Sequence, residues 1–474
     1  VVIGGGVVVG VGALDGLSCF ESATTPRSDG LAQGPPGGGD AGSVGRWGGR
    51  VGGALTSARP HAEAASAAGG LGRLLGVDAG ITDGQARAAA IGEALGASDV
   101  ALRLDLVPVG IDGEIADAAV DGLGAAESRA LVEAVGDAVS AALGVEWEAH
   151  PGRAGGAFGA SGHVVIVRGG AALFGVGAEP GGGGGGVGAG LFSRIGGRRS
   201  RVGALECFGA DGRVGSPAAE AGARGAGAEL IERAVSAAGE ALAGHAVNEE
   251  RAAAGLATVG RVVIGGGVRA GDGRPGEAGG AGWFEATHGL RGCLVSARAE
   301  ALGVARLCGL DAVAVDADAP RGAMESGELG RRGAEALERY PFVLVYGDEA
   351  ERASLAGDVE GKVEAIEHTD EMVVGPVLDR LRRLASAADD RGGDEEAWRG
   401  LVVCDRLVSV ESRRPVAGAV PFAMGGGWVR SVVRQKLSER SAAEGDLLVE
   451  PGSALMEYFL KSGLKDAVRP PEVR

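Results

Sequence analysis

The chain has 474 residues, 45% of them hydrophobic, with 92 glycines and a formal net charge of −17. That length exceeds a usual single core and predicts about two domains. The acidic balance excludes a nucleic-acid binder, which needs a concentrated basic patch. The cluster Arg194, Arg198, Arg199 and Arg201 beside the glycine run 181–186 reads as a solvated loop.

In chain order, residues 1–14 are apolar, without a basic flank and too short to span a bilayer. They predict a first strand running into Asp15-Gly16, and no membrane partner is expected. D-G is also a common turn pair. A glycine-rich loop leads to Thr56-Ser57-Ala58-Arg59-Pro60-His61, with Ser57 and His61 four residues apart. A helix is expected over 125–142. Residues 262–264 form another strand, followed by glycines. The heptapeptide VVIGGGV occurs at Val1 and again at Val262, which reflects glycine abundance rather than a repeat or a nucleotide loop. Gly361-Lys362 is followed by Val363, so the pattern of a P-loop is missing.

Phe342-Val343-Leu344-Val345 has the length and β-branched content of a buried strand. A polar loop follows, then a helix from near Asp358 on which Val363, Ile366, Met372, Val373 and Val377 recur at roughly helical spacing. The loop leaving the carboxyl end of a strand is the usual place for a ligand in an open α/β sheet. A late strand over 401–404 runs into Asp405-Arg406, and another contains Val420-Pro421-Phe422. The five cysteines, Cys19, Cys207, Cys293, Cys308 and Cys404, are scattered and odd in number. They predict a reducing, cytoplasmic setting and neither a disulfide frame nor a structural zinc site.

The stretch GDVEGKVEAIEHTDEMVVGPVLDRL over 357–381 resembles the signature helix of the archaeal-type, 2,3-bisphosphoglycerate-independent phosphoglycerate mutases, of the alkaline phosphatase superfamily. His245-Ala246-Val247-Asn248-Glu249-Glu250-Arg251 and the segments 289–293 and 303–311 resemble further motifs of that family. The resemblance implies an α/β fold, an alkaline-phosphatase-like, mostly parallel sheet flanked by helices. It is interrupted by a smaller α+β domain, with residues 1–86 and 245–474 forming the metal-site domain and 87–244 the substrate domain. It implies interconversion of 3-phosphoglycerate and 2-phosphoglycerate through a phosphoserine and two divalent ions. The partner implied is that small phosphorylated metabolite.

Carried over by position, Ser57 is the nucleophile, in a segment where the family has Ser-Asp-Thr-Ala-His and this chain has Ala58, Arg59 and Pro60. Asp15, Ser57, Glu351 and Asp405 are the metal ligands implied, and His61, Arg87, Arg103, Arg291 and Arg406 the substrate-binding residues. The first His of the family's loop after the 342–345 strand falls on Tyr346, and its ligand histidines fall on Leu355 in that loop, on Arg406 after the late strand, and on Pro415. Residues 100–105 resemble a strand of the family, with Asp105 where the family has Asn, 112–117 resemble its hairpin, and 162–169 resemble a further strand. Four oxygen ligands suit Mn²⁺ or Mg²⁺ and make a poor zinc site. Arg406 beside Asp405 offers a fixed positive charge in place of a metal. The alternative implied is a catalytically inactive paralogue that binds a phosphorylated metabolite or acts as a subunit.

Overall fold

The computed structural model describes residues 5–11, 48–55, 67–77, 80–117, 119–152, 162–174, 205, 207, 223–266, 282–315, 323–389, 398–416, 418–426, 437–444 and 448–461. Asp15, Ser57 and His61 lie outside the described residues. The strands, in chain order, are β1 (Gly5–Val11), β2 (Gly48–Leu55), β3 (Val100–Val107), β4 (Glu148–His150), β5 (His163–Val167), β6 (Arg261–Gly265), β7 (Gly292–Ser296), β8 (Asp311–Ala314), β9 (Phe342–Gly347), β10 (Trp398–Val403), β11 (Leu407–Ser409), β12 (Arg414–Val416), β13 (Ala419–Gly426) and β14 (Leu448–Val449). The chain divides into two compact units, residues Val1–Asp78 with Gly279–Arg474, and Ala79–Ala278.

The first unit is built on an eight-stranded sheet in the order β14-β2-β13-β10-β1-β9-β7-β8. β10, β1, β9, β7 and β8 run parallel, and β13 runs against β10 and β2. A central parallel strand is covered on both faces and therefore reads as a continuous apolar run. β9 obeys this: Phe342 to Tyr346 are all buried, and so is every residue of β7.

The polar loop expected after β9 is largely helical. A helix, α1 (Glu349–Ala356), occupies it and is closed by Gly357 at φ 76°. Its sequence, EAERASLA, is made of residues that helices accept, and Ala350, Glu351 and Ser354 form its buried face. The next helix, α2 (Val359–His368), begins where the sequence predicts. The Asp358 side chain accepts the Gly361 N–H at 2.9 Å, satisfying one of the unpaired donors of the first turn. The single long helix expected there is divided by a π-helical turn, Thr369–Val374, before α3 (Gly375–Asp389). An insertion of this kind widens the helix locally. Gly330, on the neighbouring helix Ala323–Ala336, admits the Met372 carbonyl, since a Cβ at Gly330 would stand 1.9 Å from that oxygen.

The second unit carries an antiparallel sheet in the order β4-β5-β3-β6. The helices Ala125–Leu143 and Ala228–Ala243 contribute Leu131, Val132, Val135, Ile231 and Ala234 to one core with Leu102, Leu104, Val165 and Ile264. The expected return to the larger domain at 244/245 therefore moves to 278/279. β6 pairs with β3 from Arg103↔Gly265 to Val107↔Arg261, which holds residues up to 265 in the smaller unit. The motif at 245–251 belongs there too and works as a clasp. Asn248 donates to the carbonyls of Leu242 and Val259 and accepts the Val259 N–H at 2.9 Å. The buried Arg251 binds the Ala257, Gly122 and Asp121 carbonyls and the Glu127 carboxylate.

Candidate functional site

The carboxyl edge of the large sheet brings together residues far apart in the chain. Gly10 of β1 lies opposite Tyr346 of β9 on one side and opposite Val403 of β10 on the other. Tyr346 and the residues just past β10 consequently flank the end of β1. Across that gap the Tyr346 hydroxyl donates to Asp405 Oδ2 at 3.1 Å. From the next residue, Arg406 donates through Nη2 to Glu351 Oε1 on the buried face of α1. Glu351 is 6% exposed, Asp405 1% and Arg406 5%, so the ion pair is dry and each charge depends on its protein partners. Burial first, and then the negative charge of Asp405, pushes the Tyr346 phenol well above its ordinary pKa of 10.0. Tyr346 is accordingly a permanent donor to Asp405.

A second charged chain borders the first. Arg298, just past β7, pairs with Asp348 at the start of α1. Arg352 lies 3.5 Å from Asp348 and donates to Glu325 at 3.1 Å. Burial alone would raise the Asp348 carboxyl, but the guanidinium groups of Arg298 and Arg352 prevail and hold it below its ordinary value. Ser296 ties the two strands, donating to the Tyr346 carbonyl at 2.9 Å and accepting the Arg298 N–H. His368 of α2 lies 3.1 Å from Glu349, which also accepts from Ser326.

Of the residues expected from the sequence, the structure brings Glu351 and Arg406 into contact and places Asp405 beside Tyr346. Arg291 stands apart. It is exposed, immediately before β7 and so at the opposite edge of the sheet, with Asp311 at 3.8 Å. Arg87 and Arg103 belong to the second unit, where both are buried. Arg87 donates to Asp105 at 3.0 Å and to the carbonyls of Leu104 and His163. Arg103 Nε is shared between the two Asp105 carboxylate oxygens, at 2.7 and 2.9 Å, and Nη1 reaches Asp83 at 3.3 Å. Near them His163 accepts the Gly152 N–H on Nδ1, so its proton is on Nε2, facing Ser128 Oγ at 2.9 Å. That tautomer donates to the serine and takes no proton from it. Tyr346, Arg298, Arg352 and Asp105 were missed as partners in these networks. The available signal was that Tyr346 and Asp105 fall where the resemblance calls for other residues.

The described donors fit a divalent metal poorly. Among the described residues no group of three or more His, Cys, Asp or Glu side chains could hold a metal ion. Glu351 and Asp405 are each engaged by a protein donor. At an effective dielectric of about 20, a dication roughly 4 Å from a guanidinium is opposed by about 8 kcal/mol.

No family model matches the chain. A curated relative from Methanothrix thermoacetophila, named 2,3-bisphosphoglycerate-independent phosphoglycerate mutase, is 29% identical over 253 residues, which are 52% of this chain and 58% of the relative. A second, from Methanothermobacter thermautotrophicus and named 2,3-bisphosphoglycerate-independent phosphoglycerate mutase 2, is 28% identical over 37% of this chain and 41% of its own length. The chain thus spans about half the length of the curated relatives it matches. A solved structure of a protein from Pyrococcus horikoshii is similar over 96% of both chains, with a TM-score of 0.61 at 18% identity, which is a likeness of fold. The relatives' names are those of the family that the sequence around 357–381 resembles.

Proposed function

We propose that this chain is a divergent phosphoglycerate-mutase-like protein on an alkaline-phosphatase-like sheet, with phosphoglycerate as its ligand and a cytoplasmic setting. The observation that carries this reading is the convergence at the carboxyl edge of the sheet. The loop after β9 and the residues after β10, which hold the ligand positions implied by the resemblance, meet at Tyr346–Asp405 and Glu351–Arg406. Among the described residues no helix is long and apolar enough to cross a membrane. In the full mutase reaction Ser57 would accept the phosphoryl group from one glycerate hydroxyl and return it to the other. Asp15, Glu351 and Asp405 would be the surviving carboxylates of its site, with His61 and Arg406 alongside.

A specific observation favours the second reading, a relative that binds the phosphorylated metabolite or serves as a subunit without turning it over. The surviving ligand carboxylates Glu351 and Asp405 are held by Arg406 and Tyr346. The experiment is calorimetric titration of the full chain with 3-phosphoglycerate, beside a coupled assay for 2-phosphoglycerate with Mn²⁺, Mg²⁺ and Zn²⁺. Saturable binding supports the ligand. Turnover with any of the three ions returns the chain to the mutases. Absence of both binding and turnover removes phosphoglycerate as the ligand.

A further inference from the structure

We propose that Arg406 is a resident protein cation that does the cross-linking work of a divalent ion, so that this edge of the sheet assembles and stays closed without metal. The proposal rests on the reading of this edge as the mutase-like site. A metal at such a position has two jobs: it neutralises converging carboxylates, and it ties together elements distant in sequence. Arg406 neutralises one of these carboxylates, Glu351, and the described contacts tie the distant elements together. Arg406, immediately after the late-strand Asp405, reaches 55 residues back to Glu351 on α1 and is buried with it. Tyr346, at the end of β9, reaches 59 residues forward to Asp405. The two contacts close a circuit from β9 through α1 to the end of β10 and back across β1.

The substitution is directional. A guanidinium is charged at every accessible pH and presents a fixed fork of donors to a carboxylate. It is neither displaced by chelators nor lost by dilution. It also lacks the ability of a divalent ion to lower the pKa of a bound hydroxyl, so the edge is built for holding its shape rather than for generating an alkoxide. The neighbouring Arg298–Asp348–Arg352–Glu325 chain has the same character: carboxylates at a strand end are met by arginine.

The test is a titration of the full chain with Mn²⁺, followed by metal analysis after gel filtration and melting curves with and without EDTA. The expected result is substoichiometric retention of Mn²⁺ and the same melting midpoint in both buffers. Retention of one or more Mn²⁺ per chain, with a midpoint lowered by EDTA, overturns the proposal and leaves the phosphoglycerate reading untouched. Absence of 3-phosphoglycerate binding with no metal uptake overturns that reading alone. The double variant Y346H/R406H restores imidazoles beside Glu351 and Asp405. It is expected to gain at least about tenfold in Mn²⁺ affinity over the parent, the scale on which even the partners of metal ligands alter affinity. A folded double variant with unchanged affinity also overturns the proposal. If the variant does not fold, the titration of the unmodified chain decides.

Discussion

Two buried charge networks, one in each unit, arrive at the same state by opposite substitutions. At the edge of the large sheet the acids of the expected site are kept, and the cation is new: Arg406 and Tyr346 hold Glu351 and Asp405. In the smaller unit Arg103 matches the resemblance, Arg87 lies two residues early, and the acid is new. Asp105 stands where the resemblance has Asn, and it takes both Arg87 and Arg103, with Asp83 alongside. In both places side chains expected to face a metal or a substrate are turned to one another. A buried charge without a partner is costly, so losing one member of a functional set favours either its neighbours' loss or a new partner.

The largest expected effect breaks the first network. Arg406→Ala leaves Glu351 buried without its guanidinium and is expected to cost about 3–5 kcal/mol, whereas Glu351→Leu with Arg406→Met stays close to the parent, because a paired charge exchanged for apolar volume is nearly neutral. Urea unfolding of the single and double variants measures this. Equal losses in both would mean that the pair is not what holds α1 to the end of β10.

The second network should yield less. Asp105→Ala is expected to cost about 2–3 kcal/mol, since the arginines keep the Leu104 and His163 carbonyls and Asp83 as acceptors. The same variant sharpens the comparison in another way. Freed of Asp105, Arg87 and Arg103 are expected to strengthen inorganic phosphate binding measured by calorimetry. An unchanged affinity would mean that these arginines are purely structural.

Tyr346→Phe removes one hydrogen bond from a buried carboxylate and is expected to cost about 1–2 kcal/mol in the same unfolding assay. A loss as large as that of Arg406→Ala would make Tyr346, rather than Arg406, the main tie of the edge.

The smallest effect contrasts these dry pairs with a solvated one. Glu328, held mainly by its hydrogen bonds to Arg331, has its carboxyl lowered from 4.5 to about 2. Its folded value lies below its unfolded value, so its contribution is present above about pH 4.5 and lost as pH falls toward 2. Screening by water keeps such an exposed pair weak. Glu328→Gln should therefore leave the melting midpoint nearly unchanged at neutral pH and flatten its acid dependence. A marked drop at neutral pH would place this surface pair in the same class as the buried ones.

Some of this was legible before any coordinates. The run Phe342–Val345 had the length and β-branched content of a covered strand, and Asp358 marked the start of α2. Other features were hidden. The loop after β9 carries enough polar residues to read as irregular, yet its small face, Ala350 and Ser354, lets it pack as a helix. The π-helical turn leaves no mark on hydrophobic periodicity, and the close approach of Gly330 to the Met372 carbonyl is a contact between two helices. The unit boundary moved because a ladder between β3 and β6 joins segments more than a hundred residues apart.

The sequence by itself determined the strands around the site, the start of α2 and the departures from the family pattern: Tyr346, Leu355 and Arg406 in place of histidines, and Asp105 in place of Asn. Only the tertiary structure decided what those departures do. Glu351 and Arg406 are 55 residues apart, and Tyr346 and Asp405 59. No local pattern couples residues at such separations. Their partnership is set by the order β9-β1-β10 and the register of its ladders, which place two strand ends on either side of a third.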